Sequence, residues 1–165
     1  MITIKEATIS DINTIQEIAY ISWPDTYGKI LSQEQIDFML NLWYTSDVLI
    51  DNLTNKGHFF LLAFDGTVCL GFASYEHNYL NKNVTRLHKI YLLPEAQGKG
   101  AGKLLIDTIE NLAKKNHSVA ISLNVNKFNK AFTFYQKIGF EIVEEYDTEI
   151  GNDYLMEDYI MQKDL

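Results

Sequence analysis

The chain has 165 residues, of which 47% are hydrophobic, 13% aromatic and 22% charged, with 2 prolines and one cysteine; this is the make-up of one globular domain, residues 1–165, and excludes a disordered, collagen-like or disulfide-stapled chain. Its 22 acidic against 14 basic side chains give a net charge of −8, which excludes a nucleic-acid or anionic-membrane surface, since both need clustered positive charge. The imbalance is local: residues 1–140 carry 13 acids and 13 bases, and residues 141–165 carry nine acids against Lys163 alone.

Met1–Glu6 shows no basic segment followed by an apolar one, and no run approaches the roughly 20 apolar residues of a membrane span. A cytoplasmic protein is expected. Ile2–Ala7 reads as a strand, and Ser10 is placed to cap a helix whose apolar positions Ile12, Ile15, Ile18 and Ala19 follow helical spacing. Trp23-Pro24-Asp25-Thr26-Tyr27-Gly28 reads as a loop. A second helix opens on the capping pattern Ser32-x-x-Gln35 and carries Ile36, Met39, Leu40 and Trp43 on one side. A short helix over residues 46–53 leads to a strand over His58–Phe64, the turn Asp65-Gly66, and a returning strand over Val68–His77. Cys69 lies in the apolar run Val68–Phe72 and reads as a structural thiol.

Thr85–Leu93 forms the next strand and stops at Pro94. A glycine-rich turn, Gln97-Gly98-Lys99-Gly100-Ala101-Gly102, opens a helix with Ala101, Leu104, Leu105, Ile109, Leu112 and Ala113 on one stripe. Val119–Val125 reads as a strand, and Ala131, Phe134, Tyr135 and Ile138 mark a helix that Gly139 ends. Two strands, about 140–145 and 154–162, flank an acidic loop around Asp147–Asp153. This order describes an α/β layer structure with a mixed sheet and helices on both faces.

A strand running through glycines into a helix exposes backbone N–H groups at a positively polarised helix end, the usual device for holding phosphate. Gly98, Gly100 and Gly102 clear the approach, and Lys99 and Lys103 add charge. A Walker A loop is excluded because Gln97 stands five before Gly102 and Leu104 follows Lys103. A dinucleotide fingerprint fails too, because the third glycine comes one place early and the region near Ala120 is apolar.

What remains, Gln-x-x-Gly-x-Gly after a strand, resembles the acetyl-CoA turn of the GNAT superfamily of N-acetyltransferases. The segment Asn129 to Phe140, with Ala131, Phe134, Tyr135, Lys137 and Gly139, is similar to that family's second signature. The resemblance covers the whole chain in element order. It implies the GNAT fold, with a single, mostly antiparallel sheet whose fourth and fifth strands splay apart around the pantetheine arm. It implies that Ile90, Tyr91 and Leu92 pair with that arm, and that Leu92 N–H polarises the thioester carbonyl. Gln97, Gly98, Lys99, Gly100, Ala101, Gly102 and Lys103 would hold the pyrophosphate, with Asn124, Asn129, Phe134, Tyr135 and Lys137 as further coenzyme contacts.

By the same resemblance Tyr135 is the acid that protonates the leaving thiolate. His88 takes the base position, with Glu76 and His77 as fallbacks, and Arg86 beside His88 breaks the two-residue relay seen in some members. His58 and His117 read as ordinary surface or turn residues. No metal is implied. Within the superfamily the chain most resembles bacterial PaiA-type spermidine/spermine acetyltransferases, in Asp25-Thr26-Tyr27, Ile90-Tyr91 and the closing Asp158–Lys163 segment. Trp23 and Tyr27 would wall the acceptor pocket by stacking, and the acidic end would attract a cationic amine. A peptide N-terminus or another small amine is an alternative acceptor; a non-catalytic acetyl-CoA-binding module and an interaction protein are alternative functions. Family analogy adds a homodimer.

Overall fold

Seven strands form one sheet in the computed structural model, which describes residues 1–165. They are β1 (Ile2–Glu6), β2 (Phe59–Asp65), β3 (Val68–Glu76), β4 (Val84–Leu92), β5 (Ala120–Asn126), β6 (Glu141–Gly151) and β7 (Tyr154–Asp164). Their order is β1-β2-β3-β4-β5-β7-β6, antiparallel throughout except for the parallel neighbours β4 and β5. Helices α1 (Ile12–Tyr27), α2 (Gln33–Trp43) and α3 (Ser46–Thr54) cover one face, and α4 (Ala101–Lys115) and α5 (Ala131–Lys137) the other. This is the expected GNAT architecture. No helix is long and apolar enough to cross a membrane.

Alternation along the strands feeds two cores. Leu61, Leu87, Leu123, Val125 and Met161 pack with Leu105, Ile106 and Ile109 of α4; Phe60, Leu62 and Phe72 pack with Ile15, Trp23, Ile36 and Met39 from α1 and α2. The expected caps form at α2, where Ser32 Oγ accepts from Gln35 N–H at 3.1 Å, and at Gly139, whose φ of +103° ends α5. At α1 the capping residues are Thr8 and Asp11 rather than Ser10: a 3-10 turn (Ile9–Asp11) precedes the helix, and Thr8 N–H donates to Asp11 Oδ2 at 2.8 Å.

Two segments differ from expectation. Trp23–Tyr27 is not a loop but the last turn of α1, with Pro24 inside the helix. Pro24 removes one helical hydrogen bond, yet Trp23 and Tyr27 stand four residues apart on one face and both are buried, so aromatic packing overrides the break. The acidic segment is likewise no loop. β6 runs on to Gly151 and turns through Asn152 and Asp153, both at positive φ, as a two-residue hairpin. Its side chains are almost all exposed, and Glu144, Glu145, Asp147 and Glu149 place charge along a sheet edge that would otherwise invite pairing with another strand.

The strand β4 contains one residue more than β3 can match. Tyr75 faces Leu87 but Ser74 faces Lys89, so His88 is the extra residue of a β-bulge.

Candidate active site

β4 and β5 pair only over Val84–Leu87 against Ala120–Leu123, and beyond that point they part. The expected splay is therefore present. On the other side of β4, Leu93 N–H bonds Leu70 O at 2.8 Å. Antiparallel ladders alternate, so the Leu92 and Ile90 N–H and C=O groups turn away from β3 and into the gap. Gly71 lets β3 hold β4 there: a Cβ at that position would lie 2.4 Å from Leu92 Cδ2 and 2.6 Å from Tyr91 O.

The glycine turn lies at the gap's end. Gly98 and Gly100 have φ of +80° and +86°, values that favour glycine. The first helical bond of α4 joins Leu104 N–H to Gly100 O at 3.0 Å, so the Ala101, Gly102 and Lys103 N–H groups emerge from the helix end without helical partners. A surface depression of about 500 Å³ lies against this turn, with Lys99, Gly100 and Lys103 in its lining. Lys103 pairs with Asp107 at 2.7 Å, and Gln97 Nε2 reaches Asp25 Oδ2 of α1 at 3.4 Å. Free N–H groups, unobstructed glycines and an inward-facing strand edge fit a ligand with phosphates and an extended amide arm.

Tyr135 sits on α5, buried, with Phe140 edge-on at 5.7 Å and Phe134 beside it. Burial, with Tyr27 nearby, pushes its hydroxyl pKa up, so the proton stays on at neutral pH. Phe134 is half-buried against the same core, and Lys137 is exposed at the end of α5. Asn129 Oδ1 accepts from Ala131 N–H at 2.9 Å, which fixes the start of α5.

The other face of the gap is polar. The chain alternation and the bulge send Arg86, His88, Lys89 and Tyr91 toward α1–α3. His88 Nε2 lies 2.9 Å from Glu76 Oε1, and His58 Nε2 lies 3.4 Å from the same oxygen. The two imidazoles stack at 4.0 Å with their planes 12° apart. His58 is thus no ordinary surface residue; it joins His88, the expected base, and Glu76, one of its fallbacks, in a single cluster. Burial pushes His88 down to about 2 and His58 down to about 4, so both rings are neutral at pH 7. The three donor atoms lie within 4.8 Å of one another, but parallel rings send their lone pairs side by side, and Arg86 and Lys89 add positive charge beside them. The geometry suits proton relay better than metal coordination.

Lys89 is half-buried without a carboxylate partner: its ammonium lies over the Tyr44 and Phe60 rings and 3.2 Å from Asn52 Oδ1, and desolvation pushes it down to about 8. His77 does not join this cluster. It meets Thr85 Oγ1 at 2.8 Å, and Thr85 meets Ser118 Oγ at 2.7 Å, in a hydroxyl chain on the α4 side. Trp23 departs from the expected pocket wall: only 2% exposed, it is enclosed by Tyr27, Trp43, Tyr44 and Tyr91. Tyr27 is buried as well, with its hydroxyl 3.0 Å from that of Tyr91. His117 is a turn residue, as expected.

The chain is similar to known proteins in sequence and in fold. Residues 30–155 match the family model of the acetyltransferase (GNAT) domain. The chain is 33% identical over 161 residues to a spermidine N(1)-acetyltransferase of Thermoplasma acidophilum, covering 94% of this chain and 96% of that one. It is 30% identical over 158 residues to an uncharacterized N-acetyltransferase of Bacillus subtilis, covering 92% and 87%. Among solved structures, the PaiA N-acetyltransferase of T. acidophilum in complex with coenzyme A superposes with a TM-score of 0.84 at 30% identity, over 100% of this chain and 99% of that one. The turn, the parted strands and these relatives agree: the chain belongs to the GNAT acetyltransferase family, enzymes that draw their acetyl group from acetyl-CoA.

Proposed function

We propose that the protein is a cytoplasmic enzyme that transfers an acetyl group to a primary amine, with a polyamine of the spermidine type as acceptor. The gap between β4 and β5, with Leu92 N–H turned into it, is the observation that carries this reading. Acetyl-CoA supplies the thioester. The Leu92 N–H donates to the carbonyl oxygen on which negative charge develops as the amine attacks. The Tyr135 hydroxyl delivers its proton to the leaving sulfur. In that desolvated site a bare thiolate is disfavoured as strongly as a tyrosinate, so the raised tyrosine pKa does not bar the transfer.

The amine must lose a proton to become a nucleophile. His88 is neutral, and its Nε2–H is committed to Glu76, so Nδ1 accepts a hydrogen bond from the attacking amine and hands the proton on to water, since a ring held so low does not keep it. Glu76, with His58 stacked alongside, fixes the ring. Support for the polyamine comes from the relative named as a spermidine acetyltransferase and from the acid-rich β6–β7 hairpin near the acceptor side. The test is release of free CoA from acetyl-CoA over a panel of polyamines, amino acids, aminoglycosides and peptides. Turnover is expected on polyamines first. Turnover confined to another class overturns the acceptor, and none on any amine overturns catalysis in favour of a coenzyme-binding module.

A further inference from the structure

Asp158 stands on β7 with its side chain toward α1, 8% exposed. Its Oδ1 is buried with no hydrogen-bond partner, and so are Asn124 Oδ1 on the neighbouring strand β5 and Arg86 Nε on β4. Natural structures leave few buried polar atoms unpaired, and here three share one region of one face. Arg86 does not neutralise the carboxylate. It is close enough to attract both Asp158 and Glu76, but it forms an ion pair with neither, and its guanidinium lies 5.2 Å from the centre of the Tyr79 ring. Lys127 is engaged by Glu145 at 3.2 Å and Asp147 at 3.8 Å.

We propose that Asp158, with Asn124 beside it, is the anchor for an ammonium group of the acceptor. Asn124 is near enough to hydrogen-bond the Asp158 carboxyl, yet Oδ1 of each is left without a donor; two such oxygens call for a ligand that brings N–H groups, and an ammonium brings three together with a positive charge. The position suits it: Asn124 follows Leu123, the last β5 residue paired with β4, so the anchor lies where the strands part. Tyr27 is close enough to feel the charge of Asp158 and to influence Tyr135, which puts the anchor and the acid on the same side of the molecule. The proposal takes from the acetyl-transfer reading only the identity of the molecule that brings the ammonium.

The groups facing Asp158 are Tyr27 from α1, Arg86 from β4, Asn124 from β5, Lys127 beyond β5 and Asp147 from β6. Burial dominates, offset in part by Asn124 and Arg86, and brings the carboxyl up to about 6. It is ionised, and able to hold a cation, above that pH.

The experiment is calorimetric titration of spermidine into the CoA-bound protein at pH 7.5 and pH 5.0, for wild type and Asp158→Asn. No reaction occurs with CoA, and spermidine keeps nearly its full charge over this range; the CoA 3′-phosphate titrates near about pH 6, so the difference in pH effect between wild type and Asp158→Asn is what belongs to the carboxylate. Wild type should bind about tenfold more weakly at pH 5.0. Asp158→Asn should bind about tenfold more weakly than wild type at pH 7.5 and show no such pH effect. Its melting temperature at pH 7.5 should be at or above wild type, because the substitution removes a buried charge, and this establishes that the variant folds. Wild-type affinity and pH dependence in the variant overturn the anchor, as does a wild type that binds neither spermidine nor butylamine. Failure of acetyl transfer would appear separately, as binding intact in wild type and lost in Asp158→Asn with no CoA released from acetyl-CoA.

Discussion

The two faces of the sheet divide the work in different materials. Toward α4 and α5 the interior is mostly Leu, Ile, Val and Ala, and the features offered to the coenzyme are backbone: glycine N–H groups and the inward edge of β4. Toward α1–α3 the aliphatic interior also holds Trp23, Tyr27, Tyr44, Phe60 and Phe72, and beside them stand Glu76, His58, His88, Arg86, Lys89 and Asp158. Burial shifts the acid–base behaviour of all of these. Binding by backbone tolerates many sequences provided glycines and spacing are kept. Chemistry by side chains depends on which residues the fold happens to gather.

Tyr135 belongs to the α4–α5 core yet carries a hydroxyl for the chemistry, and its loss should have the largest effect. Tyr135→Phe should lower kcat by about 100-fold or more with coenzyme stabilisation intact, measured by steady-state kinetics and thermal shift with CoA; unchanged kcat would remove it from the mechanism. Gly71 tests the backbone side. Gly71→Ala forces a Cβ against the β4 backbone and should cost about 3 kcal/mol by denaturant unfolding, and a variant as stable as wild type would show that β4 yields freely.

The third prediction concerns pH on the side-chain face. His58 and His88 have folded pKa values below their unfolded ones, so the unfolded chain takes protons first. Stability is complete above about pH 6.5 and falls as pH drops toward 4, by about 2 kcal/mol for His58 after allowing for solvent screening. Asp158 opposes this, since its raised pKa lets the native state take a proton as pH falls through about 6. Asp158→Asn should therefore steepen the acid loss in urea titrations at pH 4–7. A shallower loss would reverse the assignment. The smallest effect expected is at the turn, where Gly100→Glu should weaken acetyl-CoA binding about tenfold through strain at positive φ and a negative charge beside the helix end. Calorimetry with CoA reads it, and wild-type affinity would place the phosphates elsewhere.

The backbone side was legible in the sequence because spacing encodes it: the glycines, the strand before them and the second signature sit within contiguous stretches. The side-chain face was not, because register assembles it. His58 is 18 residues from Glu76 in sequence, yet Phe59 pairs with Tyr75; the bulge between Ala63 and Phe64 supplies the last step of register, but counting back from the Asp65-Gly66 hairpin alone brings 58 within one position of 76. That was the signal available. Trp23–Tyr27 misled because Pro24 advertises a break that aromatic burial overrules. The acidic stretch misled because charge resembles a loop, whereas on an edge strand it guards the pairing groups. Asp158 stood in view only as part of a closing motif, since its lack of a partner is a property of β4, β5 and β7 together.

The extra residue at His88 has a consequence for how this strand tolerates change in length. Before it, Thr85 and Leu87 point toward α4; after it, Ile90 and Leu92 do, and Lys89 and Tyr91 point toward α1. The bulge acts as a frame shift in the alternation of β4. Removing His88 would restore unbroken alternation, with Lys89 and Tyr91 still toward α1 and Ile90 and Leu92 still toward α4, and would take away the imidazole alone. The bulge thus adds a side chain for chemistry without altering how either face packs: a chain lacking His88 should keep its fold, read by thermal unfolding, and lose the His88–Glu76 contact.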